Sequence, residues 1–284
     1  MKTTLNQASN IQIHETRSRQ TTLPEVVGYA GSLLAIGAVS LLLYTEWEDI
    51  TQAQKTATFS LLAIALFVIG LIASNGADVR RRVSSYIYTL ATASSWLAVY
   101  VTFPNDPPIL QSFALATVVA LLGYTISSTS IGQAALFLTS VGTLTFLGLE
   151  LVDSDNLQLY TQISLIVAFS LTWMAISAIR IVDRSLGLIL SNLTILGASQ
   201  VAFFREFEGL SYAIGIGSTI IAIWLYTKIS SWVLAASAII ALGVGAIEFV
   251  ISTMKNSLTA IIGLLLVGGI VTAMGISAAG ARSS

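Results

Sequence analysis

Apolar residues fill most of this chain in blocks of about 20, the length of helix that crosses the hydrocarbon of a bilayer. Ten blocks can be traced: Pro24–Tyr44, Thr56–Ser74, Val83–Phe103, Ile109–Ile126, Ile131–Val152, Leu159–Ile179, Ser185–Phe204, Leu210–Thr227, Ser231–Thr253 and Ser257–Ala279. The breaks between them are short and polar. Pro104-Asn105-Asp106-Pro107-Pro108 forbids helix continuation and predicts a stiff turn. Ser127-Ser128-Thr129-Ser130 is the least marked break, because no charge stands in it. The pattern predicts an all-α integral membrane protein, a bundle of about ten transmembrane helices arranged as five in-out-in hairpins.

Charge orients the bundle. Arg80-Arg81-Arg82 is the only run of three like charges, and it reads as a short basic loop between two spans. Cytoplasmic loops are rich in Lys and Arg, so this run is expected to set the topology. With it inside, Lys2, Arg17, Arg19, Arg180, Arg184, Lys228 and Arg282 also fall inside; of the 13 basic residues only Lys55, Arg205 and Lys255 fall outside. Both termini are then cytoplasmic (N-in, C-in). Residues 1–22 are polar and irregular and predict a disordered cytoplasmic tail. Residues 23–280 form a single transmembrane helical domain, and 281–284 a short cytoplasmic end.

Composition agrees with this class. Only 10% of residues are charged and 55% are hydrophobic, where a soluble domain carries about a quarter charged residues. The net charge of −1 is too balanced to suggest nucleic acid as a partner. The expected company is the lipid bilayer, with a membrane-protein partner or a homo-oligomer. Small residues four apart (Gly28 and Ser32, Gly187 and Ser191, Ala241 and Gly245, Gly269 and Ala273) let helices approach closely. No span has a central proline, so a broken helix would have to rest on Gly215 and Gly217 or on Gly243 and Gly245.

The chemistry is defined mainly by what is missing. There is no cysteine, and the single histidine, His14, lies in the tail. A thiolate, an intramembrane imidazole and a His-based zinc motif are therefore unavailable. No lysine lies mid-span, and no phosphate-cradling Gly-Lys loop occurs. No catalytic, cofactor-binding or metal site is expected, and the protein reads as a non-enzyme.

The buried polar residues are few. Glu150 and Glu248 lie near the outer ends of their spans; Asn192 and Gln200 lie two turns apart on one span. An ionisable group inside a span is a functional candidate, because burying its charge is costly without a partner or water. For the amides, hydrogen bonding across helices is the plain alternative. Glu248, Glu150, Asn192 and Gln200 are the candidate transport or buried polar residues. Gln133, Gln162, Ser94, Ser95, Thr143 and Thr145 read as packing groups.

Glu25-Val26-Val27-Gly28-Tyr29-Ala30-Gly31, then Leu33-Leu34-Ala35-Ile36-Gly37-Ala38, Trp47, the basic run after Asp78, and Trp96 follow one another in the first 103 residues. This third of the chain resembles a family of bacterial polytopic membrane proteins of unknown function. By length and topology alone, the chain is similar to the drug/metabolite transporter superfamily. The function that follows is a carrier of a small solute or cation. The alternative is a structural or accessory subunit of a membrane complex, suggested by the scarcity of charge within the spans.

Overall fold

The computed structural model describes residues 49–75, 78–103, 105–152 and 154–253, with positions 262, 265 and 268. The tail, the first expected span and nearly all of the tenth lie outside the described residues, as do Lys2, His14, Arg17, Arg19, Lys255 and Arg282. Among the described residues there are eight helices and no strand: α1 (Gln52–Ser74), α2 (Asp78–Tyr100), α3 (Ile109–Ile126), α4 (Ser130–Glu150), α5 (Asp155–Ala178), α6 (Arg184–Phe204), α7 (Glu208–Ile229) and α8 (Trp232–Thr253). All but α2 are long and apolar enough to cross a membrane, seven in number. The protein is thus a multi-pass, all-helical membrane protein. Large apolar side chains such as Leu61, Ile64, Ile72, Ile220 and Ile239 stand exposed, a surface suited to hydrocarbon.

The basic run lies elsewhere than expected. Arg80, Arg81 and Arg82 are not in a loop but in the first turns of α2, which begins five residues before the apolar block. Arginine is a good helix former, so the helix overhangs its apolar part and keeps the charges at its end without breaking the backbone ladder. Arg81 Nη2 donates to Ser128 Oγ at 3.3 Å, and Ser127 Oγ donates to the Arg81 carbonyl at 2.7 Å. The uncharged break 127–130 is therefore held by α2. α1 also starts earlier than expected, because Thr51 and Gln54 form a capping box: Thr51 Oγ1 accepts from Gln54 N–H and Gln54 Oε1 from Thr51 N–H.

α2 departs from the apolar pattern of its neighbours because its polar groups are buried and bonded. Ser84, Ser85, Thr92 and Ser95 are buried. Ser84 Oγ donates to the Gly70 carbonyl on α1 at 2.8 Å, Thr92 to the Tyr88 carbonyl at 2.9 Å, and Ser95 to the Thr92 carbonyl at 2.8 Å. Ser85 Oγ meets Thr129 Oγ1. Hydroxyls satisfied in this way carry little penalty in an apolar surrounding.

The chain divides into two compact units, one of residues 1–108 and 118–132, the other of 109–117 and 133–284. In the first, Tyr88 is seated against glycines of two other helices. A Cβ on Gly70 would stand 2.7 Å from Tyr88 Cε1, and one on Gly123 2.7 Å from Tyr88 Cβ. In the second, α5 packs on α6, α6 on α7, and α7 on α8. Its core joins Met174, Leu188, Ile195, Ala222, Leu234 and Ala238. Gly187 admits Ser177 and Gln133, whose nearest atoms stand 2.0 and 2.9 Å from where its Cβ would be. Gln133, with no exposed surface, receives the Asp183 N–H on Oε1 at 2.8 Å and donates from Nε2 to the Asp183 carbonyl at 3.1 Å. It is a packing group, and what it fixes is the turn before α6.

α7 and α8 run unbroken through Gly215, Gly217, Gly243 and Gly245, so neither glycine pair breaks its helix. Gly243 has open space where a Cβ would stand. Gly123→Ala is expected to cost about 1–3 kcal/mol through overpacking against the fixed Cβ of Tyr88. Gly243→Ala is expected to be neutral or to stabilise by up to about 1 kcal/mol, the helix-propensity difference. Tryptophan-fluorescence melts of the two variants in detergent check this, and equal melting temperatures would contradict it.

Candidate functional site: a carboxylate held by neutral donors

The candidate site is built at one end of α6, α7 and α8. α6 ends without a glycine. Glu206 takes a left-handed conformation (φ 66°), Phe207 N–H bonds the Ala202 carbonyl at 3.0 Å, and Glu206 N–H bonds the Phe203 carbonyl at 3.0 Å. This is a Schellman closure, with Glu206 where glycine is usual. α5 ends in the same way at Arg180 (φ 64°). Phe207 packs edge-on against Tyr160, ring centroids 4.9 Å apart, and α7 starts at the next residue. So short a turn makes α6 and α7 antiparallel neighbours. Residues on either side of it face each other: Ser199 Oγ lies 3.0 Å from Ser211 Oγ and 3.2 Å from the Ser211 carbonyl.

α8 adds the charge. Glu248 stands five residues before the end of α8, about 8 Å along the axis at 1.5 Å per residue. It is only 4% exposed. Ser211 Oγ donates to its Oε2 at 2.9 Å, and Gln200 Nε2 donates to its Oε1. Because the single proton of Ser211 goes to the carboxylate, Ser199 is the donor in the serine pair. A proton-ordered chain therefore runs from Ser199 through Ser211 to Glu248. No lysine or arginine among the described residues pairs with this carboxylate.

The four candidates fare differently. Glu248 and Gln200 are in direct contact, which spacing along the chain could not show. Asn192, two turns from Gln200 on α6, takes no part in this cluster; its Nδ2 donates to the Leu188 carbonyl of its own helix at 2.7 Å. Glu150 is exposed at the last residue of α4, with no bond to the other three. Ser199 and Ser211 were not singled out from the sequence, although both are buried and essential to the cluster. The legible signal for them was a pair of small polar residues flanking a short interhelical turn. No group of three or more His, Cys, Asp or Glu residues able to hold a metal occurs among the described residues.

Searches for related proteins returned no matching family model, no matching curated protein and no matching solved structure.

Ser211→Ala removes the donor to Glu248 Oε2 and leaves Ser199 only the carbonyl of residue 211, at 3.2 Å, to donate to. It is expected to destabilise the protein by about 1–3 kcal/mol, the penalty for unsatisfied buried polar groups. Ser218→Ala is the control, since that hydroxyl bonds only the Gly215 carbonyl of its own helix at 3.0 Å. A thermal melt in which Ser211→Ala is no worse than Ser218→Ala would show that the cluster is not held as described.

Proposed function

We propose that the protein is a non-enzymatic carrier of a small solute or cation, with Glu248 as the group that takes up and releases the moving positive charge. The observation that carries this reading is a buried carboxylate whose bonded partners among the described residues are all neutral. An ionised carboxylate removed from water is strongly disfavoured without a counter-charge. A proton or a small cation arriving at Glu248 supplies it.

The same event alters the packing of three helices. Gln200 ties α6 to Glu248 on α8, and Ser211 ties α7 to it. Neutralising the carboxylate weakens both charge-assisted bonds at once. Occupancy at Glu248 thus biases how α8 sits against α6 and α7, the kind of coupling that alternating access needs.

This reading includes the finer topology: ten spans as five in-out-in hairpins, both termini cytoplasmic, in a bacterial inner membrane, with the α2 arginines on the cytoplasmic side. The Glu248 cluster then opens toward the outer face. Kinship with the bacterial polytopic family belongs to the same proposal; its motif from Glu25 to Gly31 lies outside the described residues.

Proteoliposomes loaded with a pH-sensitive dye and challenged with a panel of small organic and inorganic cations test the assignment. Wild type is expected to move protons against at least one of them. Glu248→Gln, which keeps the shape and one accepting oxygen and replaces the other with an N–H donor that the Ser211 hydroxyl can accept by turning, is expected to abolish that flux while eluting and melting as a folded protein. Undiminished flux in Glu248→Gln would remove the carboxylate from the mechanism. A stoichiometric membrane partner retained through mild-detergent purification, with no flux by the chain alone, would instead favour the accessory-subunit reading.

A further inference from the structure

The same three helices line a half-open pocket of about 230 Å³, farther along their length from the Glu248 cluster. Its walls come from Ile189, Leu193 and Leu196 of α6, Ala222 of α7, and Val233, Ala236 and Ile240 of α8, among others. Trp232, the first residue of α8, adds an aromatic wall. The polar side chains between the helices are Asn192, Ser218 and Ser237.

The proton inventory of these three groups defines what fits. Ser218 Oγ donates to the Gly215 carbonyl at 3.0 Å, and Ser237 Oγ to the Leu234 carbonyl at 3.1 Å. Asn192 meets a carbonyl oxygen, Leu188 O, at 2.7 Å, so the atom there has to be its nitrogen. Asn192 Oδ1 then accepts from no described residue. An amide oxygen without a partner among apolar walls is a costly feature to keep. Asn192 offers the site its Oδ1 and the second N–H of Nδ2, while both serine protons are committed. No charged side chain lines the pocket, so an ionic ligand is disfavoured; a neutral ligand that brings one N–H or O–H is matched by Oδ1.

Size narrows the class. An apolar cavity of about 150 Å³ takes a benzene molecule, so this one suits a compact two-ring body. Water would find too few polar partners there. We propose that the cavity between α6, α7 and α8 is a binding site for a small neutral aromatic molecule bearing a single N–H or O–H donor, which Asn192 Oδ1 receives. The proposal does not depend on the carrier reading, because the site uses neither Glu248 nor its partners.

The test uses the full chain in detergent, equilibrium dialysis against protein-free micelles, and two probes of one shape: indole, which carries an N–H, and indene, which does not. Wild type is expected to bind indole saturably, one per chain, and to prefer it over indene by about five- to tenfold, the worth of one net hydrogen bond. Asn192→Leu is expected to erase the preference while retaining indene. Ala236→Phe is expected to fill the cavity and abolish both, with Ala241→Leu as the second filling variant should the first fail to fold. Uptake that never saturates in wild type would overturn the proposal, as would a preference that survives Asn192→Leu or binding that survives a filled cavity. Absence of indole binding, with a co-purifying phospholipid lost only on filling the cavity, would overturn it too and assign the space to a lipid tail.

Discussion

Hydrocarbon offers a polar group no partner, and most hydroxyls and amides inside these helices find one within the protein, the buried Ser170 Oγ being an exception. Most hydroxyls return to their own helix. Thr89, Thr117, Thr139, Thr145, Thr172 and Thr219 each donate to the carbonyl four residues back. Such side chains can face lipid or a neighbouring helix with no unsatisfied donor. A smaller set bonds across helices: Ser84 to Gly70, Thr117 with Thr143 at 2.9 Å, and Gln133 to the backbone of Asp183. These crossings go with close approach. Gly70 and Gly187 are among the places where a side chain from another segment occupies the space a Cβ would need.

Glu248 is the exception to this economy. Every other charged residue placed on a described helix lies within its first or last turns, whereas Glu248 is enclosed by α6 and α7. Its two donors are neutral, so they stabilise the ion without cancelling its charge. A lysine or arginine at either position would have made a closed structural ion pair. Small hydroxyls also let α6 and α7 approach closely enough for Ser199 to support Ser211.

The interface of these three helices carries two unlike environments. Near one end is the carboxylate with its ordered donors; farther along is an apolar space with one unpaired amide oxygen. α6 supplies a carboxamide to each, Gln200 to the first and Asn192 to the second. Eight residues separate them, about 12 Å along the helix at 1.5 Å per residue. The continuity of α7 and α8 through their glycines means that both environments are built on rigid elements, with no unwound segment to supply backbone ligands.

Helix existence was legible in the sequence because the requirement to span hydrocarbon acts on composition over some twenty residues at a time, and α3 occupies the very residues of its apolar block. Helix ends were less legible. α2 runs past its apolar block into Arg80–Arg82, and α5 and α6 close on Arg180 and Glu206 rather than on the glycine that would have marked a left-handed cap. Glu248 and Gln200 stood out as polar groups in apolar company, but the same criterion selected Glu150, which ends exposed on α4. Which polar groups meet depends on the turn between α6 and α7 and on the face that α8 turns toward them. Those are set by packing among residues far apart in sequence, and hydropathy, a property of one segment at a time, holds no record of them.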